Sequence, residues 1–177
     1  MLLALIAAAI VGKVDTTPAK FLEETVVYLE QVPGAFTPKT ASMDQKGMKF
    51  IPHVLAITAG DSVKFLNSDG VDHNVYSPDN EGFNLGMIHA NATGEYKFDK
   101  AGVYTQLCSV HPEMLAYIFV GQNPFEAVVG KDGKYKIDNV PPGTYRVAIW
   151  NAHLKGPSQS VTVAAGKPAE ANFSLHR

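Results

Sequence analysis

The sequence is poor in cysteine, in charge and in long apolar runs. Cys108 is the only cysteine among 177 residues, so no disulfide can form within the chain, and the thiol is free, bridged to another chain or bound to a metal. Charged residues make up 18%, and 15 basic against 17 acidic residues leave a net charge of -2 without a basic run. This excludes the electrostatic footprint of a nucleic-acid-binding protein. Beyond the first residues, no stretch approaches the ~20 apolar residues of a membrane span.

Turn-forming residues, by contrast, are frequent. The 15 glycines and 11 prolines fall mostly between short apolar runs, which favours an all-β chain over a helical bundle. A hydrophobic content of 46% excludes global disorder. At about 150 residues per domain, the length allows one large domain or two small ones.

The first residues indicate export. Residues 1–11 are apolar throughout, which is too short for a membrane span and typical of the core of a signal peptide, and residues 7–9 offer a cleavage site of small residues. We expect residues 1–9 to be the remnant of a signal peptide. The mature protein, without a membrane span, is then periplasmic or secreted. The alternative is a buried first strand or helix.

Short β-rich segments separated by turns make up the rest of the chain. Asp132 and Gly133 predict a hairpin between two of them, and residues 68–70 have the composition of a turn. Residues 86–90 are typical of a loop, and a proline after a threonine allows a short helix over residues 18–24. We predict strands over residues 10–15, 25–30, 49–57, 62–67, 73–77, 94–98, 103–107, 116–120, 125–129, 134–140, 145–150, 160–164 and 170–175.

Three side chains with metal-binding chemistry recur every three residues in one loop between predicted strands. Cys108, His111 and Met114 supply a thiolate, an imidazole and a thioether, a set that favours copper. A tight loop can place all three around one point, so only one more ligand has to come from elsewhere. His73, at the start of a strand beside another loop, is the main candidate.

Three roles without copper are open to the same residues. A lone cysteine is most often a small buried hydrophobic residue. Cys108 and His111 can form a nucleophile–base pair, but no third residue orients them and Met114 then has no role. Zinc accepts thiolate and imidazole, but methionine is a poor zinc ligand. The spacing therefore favours copper.

Four segments, in this order, resemble the cupredoxins, the family of type 1 copper proteins. The resemblance covers about residues 41–121, and the two-residue gap between His111 and Met114 is similar to that of the amicyanins. Plastocyanins and pseudoazurins have a longer gap there. The four segments are Phe-Ile-Pro at 50–52, Ala-Gly-Asp-Ser-Val at 59–63 with Phe65 and Asn67, His-Asn-Val at 73–75, and Gly-Val-Tyr at 102–104 before Cys108-x-x-His111-x-x-Met114.

This resemblance implies a Greek-key β-barrel or sandwich with one type 1 copper near one end. It implies that His73, Cys108 and His111 bind the copper in a trigonal plane, with Met114 as a long axial ligand. It also implies that the amide of Asn74 ties the two ligand loops together.

One-electron transfer is the function that these expectations favour, without enzymatic activity. Four protein ligands leave no position for a substrate, whereas catalytic metal sites keep one open. The resemblance implies that electrons pass through His111 to a redox partner protein, such as a cytochrome or a copper or quinone enzyme. Copper delivery, storage or sensing is the main alternative, and a redox subunit or copper oxidase with an open site is a third.

Four other residues are candidates for roles at or near copper. His53 is either a structural histidine or a residue that supports or joins the site, and Glu113 offers a competing oxygen ligand within the ligand loop. Met87 and His89 are candidates for a second, weaker copper site.

The segments outside the cupredoxin resemblance look like a carboxypeptidase regulatory-like, transthyretin-type β-sandwich. Residues 132–147 carry this resemblance, and residues 12–14 and 26–30 have the character of its opening strands. The whole chain also resembles bacterial methylamine-utilisation-like proteins. Residues 121–124 look like a domain boundary. We expect residues 39–121 to form the copper domain and residues 122–177 to form the smaller sandwich. Residues 10–38 are expected to add N-terminal strands to that sandwich.

Overall fold

The computed structural model of the protein describes residues 6–177. Within this range the predicted all-β fold is confirmed, and no helix is long and apolar enough to cross a membrane. A 3-10 helix spans Ala19–Glu24. The strands, in chain order, are β1 (Ala8–Thr16), β2 (Thr25–Leu29), β3 (Thr40–Gln45), β4 (Phe50–Ile51), β5 (Val54–Thr58), β6 (Ser62–Asn67), β7 (His73–Ser77), β8 (Phe83–Ile88), β9 (Thr93–Lys97), β10 (Gly102–Leu107), β11 (Leu115–Gly121), β12 (Glu126–Val128), β13 (Lys134–Val140), β14 (Gly143–Asn151), β15 (Gln159–Val163), β16 (Ala169–Glu170) and β17 (Phe173–Leu175).

These strands form two compact units. The described residues up to Gly34 and Asn123–Arg177 form the terminal unit, and Ala35–Gln122 form the inserted unit. In the terminal unit one sheet has the order β13-β1-β16, with β17 also paired to β1, and the other has the order β12-β2-β14-β15. Strands from both ends of the chain thus build the same sheets.

The inserted unit is a sandwich of two sheets. One has the order β5-β11-β10-β7-β8 and the other the order β4-β3-β6-β9. Strand β11 is parallel to β5 and β3 is parallel to β6, whereas the other pairs are antiparallel. Connections therefore cross between the sheets, as a Greek-key fold requires.

Alternating apolar side chains form the core of the inserted unit. Along β6, Val63 and Phe65 are buried and Lys64 is exposed, as expected when one face of a sheet packs on a core. The rings of Phe98 and Tyr104 meet edge to face, with centroids 5.0 Å apart. Each such buried side chain contributes about 2 kcal/mol. This packing gives the strand ends a fixed frame.

Several predictions about local structure are wrong, among them a single strand over residues 170–175, which is divided into β16 and β17. Residues 49–57 are two strands, because β4 pairs with β3 in one sheet and β5 pairs with β11 in the other. Asp132 and Gly133 lie in a turn but not in a hairpin, because β12 pairs with β2 while β13 pairs with β1. An Asp-Gly signal favours a chain reversal but does not determine the sheet that each strand joins.

A further prediction, a loop over residues 86–90, missed most of an edge strand. Strand β8 includes Gly86, Met87 and Ile88 and pairs with β7. Gly86 has a φ of 72°, a conformation that glycine adopts easily. A glycine inside a strand weakens the alternating pattern by which strands are predicted.

The predicted leader over residues 1–9 lies partly outside the described residues. Ala8 and Ala9 begin β1, where Ala8 is aligned with Val140 and Ala9 is buried. A leader ending at Ala9 therefore overlaps the start of this strand. The signal peptide stays a prediction.

Candidate metal centre

The ends of two neighbouring strands hold the principal candidate ligands. His73 is the first residue of β7, and Cys108 directly follows the last residue of β10. Leu107 in β10 is aligned with Tyr76 in β7, so the two strands run side by side here. The backbone pairing thus brings residues far apart in sequence to one end of the inserted unit.

The imidazoles of His73 and His111 and the thiol of Cys108 converge on one point. Their ligand atoms all lie within 4.8 Å of one another. The two Nδ1 atoms are 2.9 Å apart, and Sγ of Cys108 is 3.9 Å from Nδ1 of His111. His73 and Cys108 are buried, with exposed fractions of 0% and 3%, and His111 is half-buried. Two nitrogens and one sulfur therefore face a shared and largely buried space.

The ligand loop continues to Met114, which is buried and belongs to the hydrophobic core of the inserted unit. Its backbone N–H donates to the carbonyl of His111 at 3.0 Å, which closes a tight turn. Glu113, between them, is exposed and does not belong to the cluster of His73, Cys108 and His111. The loop thus turns Met114 inward and Glu113 outward.

Asn74 connects the two ligand-bearing segments. Its side-chain oxygen accepts from the N–H of Ser109 at 3.3 Å, and its amide donates to the carbonyl of Gly86 at 2.9 Å. Its own backbone N–H donates to Sγ of Cys108 at 3.4 Å. Asn74 therefore fixes the position of the cysteine loop against β7 and β8.

Asp69 is a functional candidate that the sequence did not reveal, because it lies in a predicted turn. Its Oδ2 is 2.8 Å from Nε2 of His73, on the side of the ring opposite the cluster. Hydrogen bonds from the backbone amides of Met48 and Gly47, followed in size by the contact with His73, lower the pKa of Asp69 to about 2. The carboxylate is therefore ionised at neutral pH. In the sequence, the only indication of this contact is that Asp69 precedes His73 by four residues.

The other candidates lie outside the cluster. His53 is exposed and its ring meets that of Tyr117 edge-on, with centroids 5.7 Å apart. Met87 and His89 are both exposed, and Nδ1 of His89 is hydrogen-bonded to Oδ2 of Asp72 at 2.7 Å. This hydrogen bond lowers the pKa of Asp72. A second copper site at Met87 and His89 stays a prediction.

Residues 38–121 match the family model described as copper binding proteins of the plastocyanin/azurin family. Residues 38–121 are thus similar to the cupredoxins, and we call them the cupredoxin domain for this similarity. The match coincides closely with the inserted unit, so the strand order, the loop ligands and the family agree on the same part of the chain.

Individual cupredoxins are similar to the same region. Amicyanin-alpha from Methylorubrum extorquens is 31% identical over 77 residues, which span 41% of this chain and 65% of that relative. A solved amicyanin variant in its Cu(I) form is 25% identical, covers 46% of this chain and 81% of its own, and gives a TM-score of 0.44. A purple cupredoxin from Nitrosopumilus maritimus is 28% identical, with coverages of 46% and 99% and a TM-score of 0.42.

A second family model matches the chain after the cupredoxin domain. Residues 122–171 match polysaccharide lyase family 4, domain II. This is a different family from the carboxypeptidase regulatory-like modules that the sequence resembles, and that resemblance stays a prediction. The strands of this region belong to the two sheets of the terminal unit.

The donor set of the cupredoxin domain fits one type 1 copper. His73, Cys108 and His111 provide two imidazole nitrogens and one sulfur that all lie within 4.8 Å of one another, and this donor set is the trigonal set of type 1 sites. Nδ1 of His73 faces the cluster while Nε2 is hydrogen-bonded to a carboxylate. The ring is therefore oriented to bind a metal through Nδ1.

Proposed function

We propose that this protein is an exported, mononuclear type 1 copper protein that carries single electrons between redox partners. The observation that carries the proposal is the largely buried cluster of His73, Cys108 and His111, with buried Met114 in the same loop. In this proposal Met114 is the axial ligand. Four protein ligands leave no position for a substrate, which favours a carrier over an enzyme.

The residues of the site favour small structural change during electron transfer. Bound there, copper would supply a one-electron couple between Cu(II) and Cu(I). His73 and Cys108 are held by paired strands, and Asn74 binds the cysteine loop through both its backbone and its side chain. A frame of this kind resists movement of the ligands, so it would favour a similar ligand arrangement in both oxidation states.

The half-buried imidazole of His111 is the route that we propose for the electron. It lies between exposed Val110 and Pro112, and Leu115 is 36% exposed. This apolar rim is the proposed contact surface for a redox protein, such as a cytochrome or a copper or quinone enzyme. Water leaves such a surface readily when two proteins meet.

The visible spectrum of the whole protein tests the proposal. One equivalent of Cu(II) is expected to give an intense band between roughly 450 and 600 nm, because a thiolate bound to Cu(II) produces a charge-transfer transition. Ascorbate should bleach the band and air or ferricyanide should restore it. Stopped-flow mixing with a cytochrome c then measures transfer itself.

Three outcomes of this experiment contradict the carrier proposal. A faint d–d band alone shows that sulfur is not bound to Cu(II). A charge-transfer band that appears but cannot be cycled, together with copper that passes quickly to a chelator, supports delivery or storage instead. Perturbation of the band by azide indicates an open position and supports an enzyme.

Replacing Met114 with glutamine tests the axial role. We expect Met114→Gln to lower the reduction potential, because an amide oxygen favours Cu(II) over Cu(I) more than a thioether does. A tenfold change in the ratio of the two states corresponds to about 59 mV, and we expect at least that shift in protein-film voltammetry. Met43→Gln is unsuitable as a control because Met43 is fully buried, and Met87→Gln because Met87 is a candidate for the second copper site, so Val128→Gln, at an exposed position of the terminal unit, serves instead. A higher potential in Met114→Gln contradicts axial binding.

A further inference from the structure

We propose that Asp69 is a positioning residue that fixes the ring of His73 and thereby sets the copper affinity and reduction potential of the site. This inference rests on the proposed function. Asp69 is not one of the four proposed copper ligands, and the turn over residues 46–49 that holds it lies outside the ligand loop. The evidence is the set of hydrogen-bond donors around the Asp69 carboxylate.

The carboxylate of Asp69 receives three hydrogen bonds from two separate segments. Oδ1 accepts from the backbone N–H of Gly47 at 2.6 Å, and Oδ2 accepts from the N–H of Met48 at 2.9 Å. Oδ2 also lies 2.8 Å from Nε2 of His73. The side chain of Asp69 is only 15% exposed and that of His73 is fully buried. Solvent therefore has little access to replace the carboxylate as a partner of the ring.

A strained turn holds this carboxylate. Gly47 and Met48 both have positive φ values, 63° and 54°, and the N–H of Lys46 donates to the carbonyl of Lys49 at 3.0 Å. A methionine in this conformation is strained, because its Cβ comes close to a backbone carbonyl oxygen. Successive amides in such a turn form a concave anion-binding surface, and here Asp69 occupies it. The turn is therefore a preformed holder for one carboxylate.

The loop that carries Asp69 is fixed as well. The N–H of Asp69 donates to the side-chain oxygen of Asn67 at 3.0 Å, and the amide of Asn67 donates to the carbonyls of Val71 and Ile88. Asn67 is buried. Asp69 is thus held from its own loop and from the 46–49 turn, so its position relative to His73 is defined from two sides.

This geometry selects one form of the imidazole. The carboxylate oxygens of Asp69 accept hydrogen bonds from the backbone amides of Gly47 and Met48, so Nε2 of His73 acts as a further donor to Oδ2 and Nδ1 keeps its lone pair towards the cluster. The bond also opposes rotation of the ring. In addition, the negative charge of Asp69 lies on the far side of the His73 ring from the metal position. There it would favour Cu(II), the more positively charged state of the metal. Loss of Asp69 should therefore weaken Cu(II) binding and raise the reduction potential.

Asp69→Asn tests this role, with Asp72→Asn as a matched control. Both variants remove one negative charge near His73, but Asp72 is exposed and pairs with exposed His89. Asparagine keeps the size of the side chain but only one acceptor oxygen, so it can accept from Gly47 or from Met48 and His73, but not from all three. We expect Cu(II) affinity, measured by chelator competition, to fall at least tenfold in Asp69→Asn and less than threefold in Asp72→Asn. At a fixed electrode potential, the Cu(I) to Cu(II) ratio should rise about tenfold in Asp69→Asn alone.

A measurement on the copper-free protein keeps this test separate from the proposed function. Nitrogen-15 NMR of the imidazoles should show His73 protonated at Nε2 in the wild type and in Asp72→Asn, and a mixture of tautomers in Asp69→Asn. Equal affinities, potentials and tautomers in the two variants overturn the role of Asp69. A wild type that lacks the charge-transfer band but keeps the Nε2 proton overturns the carrier proposal and leaves the positioning of His73 intact.

Discussion

Replacing Cys108 with serine is expected to remove the visible charge-transfer band completely. The band requires a sulfur bound to Cu(II), and Cys108 is the only cysteine in the chain. Its sulfur lies 3.9 Å from Nδ1 of His111 and accepts a hydrogen bond from the N–H of Asn74. A hydroxyl oxygen keeps a hydrogen-bond acceptor at this position, so the fold should be retained. Absorption and electron paramagnetic resonance spectra with one equivalent of Cu(II) measure the result.

Ser109→Ala is the matched control for this substitution. Ser109 is the next residue, and its contact with Asn74 uses the backbone N–H, which alanine keeps. This variant should have the wild-type band and copper affinity. Circular dichroism of Cys108→Ser should match the wild type, which separates loss of the ligand from loss of the fold. An unchanged visible spectrum in Cys108→Ser means that the thiolate does not bind copper at all.

The ligand loop is predictable from sequence because its chemistry is local. Cys108, His111 and Met114 lie within seven residues. A single tight loop can therefore bring their side chains together, independently of how the other strands are arranged. His73 is harder to predict, because only the order of several segments along the chain indicates it. In the structure, the pairing of β7 with β10 provides the missing spatial link.

The surroundings of His73 could not be predicted in the same way. Asp69 has the sequence context of a turn residue, and its partners Gly47 and Met48 come from a different hairpin more than 20 residues away. No periodic pattern relates these positions, since the contact depends on how the 46–49 turn sits beside the 67–71 loop. Packing between loops, rather than local propensity, determines this part of the site.

A similar limit applies to the terminal unit, where both ends of the chain meet. The sequence indicated its strands, but not that β1 is parallel to β16 and β17 at its two ends. We propose that residues 10–34 belong to the same sandwich as residues 123–177, whereas residues 35–38, expected in that sandwich from the sequence, belong to the inserted unit. The close approach of Gly12 to the C-terminal segment makes this proposal testable.

Gly12→Ala is expected to destabilise the terminal unit by about 3 kcal/mol, the upper range for overpacking in a well-packed site. A Cβ atom at Gly12 would lie 1.8 Å from the backbone oxygen of Ala171 and 2.9 Å from the ring of Tyr135. That oxygen also accepts from the hydroxyl of Tyr135 at 2.6 Å, and the N–H of Ala171 donates to Val11. Because the contact is with backbone, the two segments must move apart.

Denaturant unfolding measures this effect in the intact protein. Trp150 is the only tryptophan and lies in β14 of the terminal unit, so its fluorescence reports that unit, while the copper band reports the cupredoxin domain. Gly130→Ala is the control, because its new Cβ would come no closer than 3.2 Å to Oδ1 of Asp132 and 3.4 Å to the backbone oxygen of Lys134. We expect the midpoint of the Trp150 transition to fall in Gly12→Ala and to change little in Gly130→Ala. If Gly12→Ala leaves that midpoint unchanged, the first strand does not stabilise the sandwich that contains Trp150, and the proposed grouping of the two chain ends is wrong.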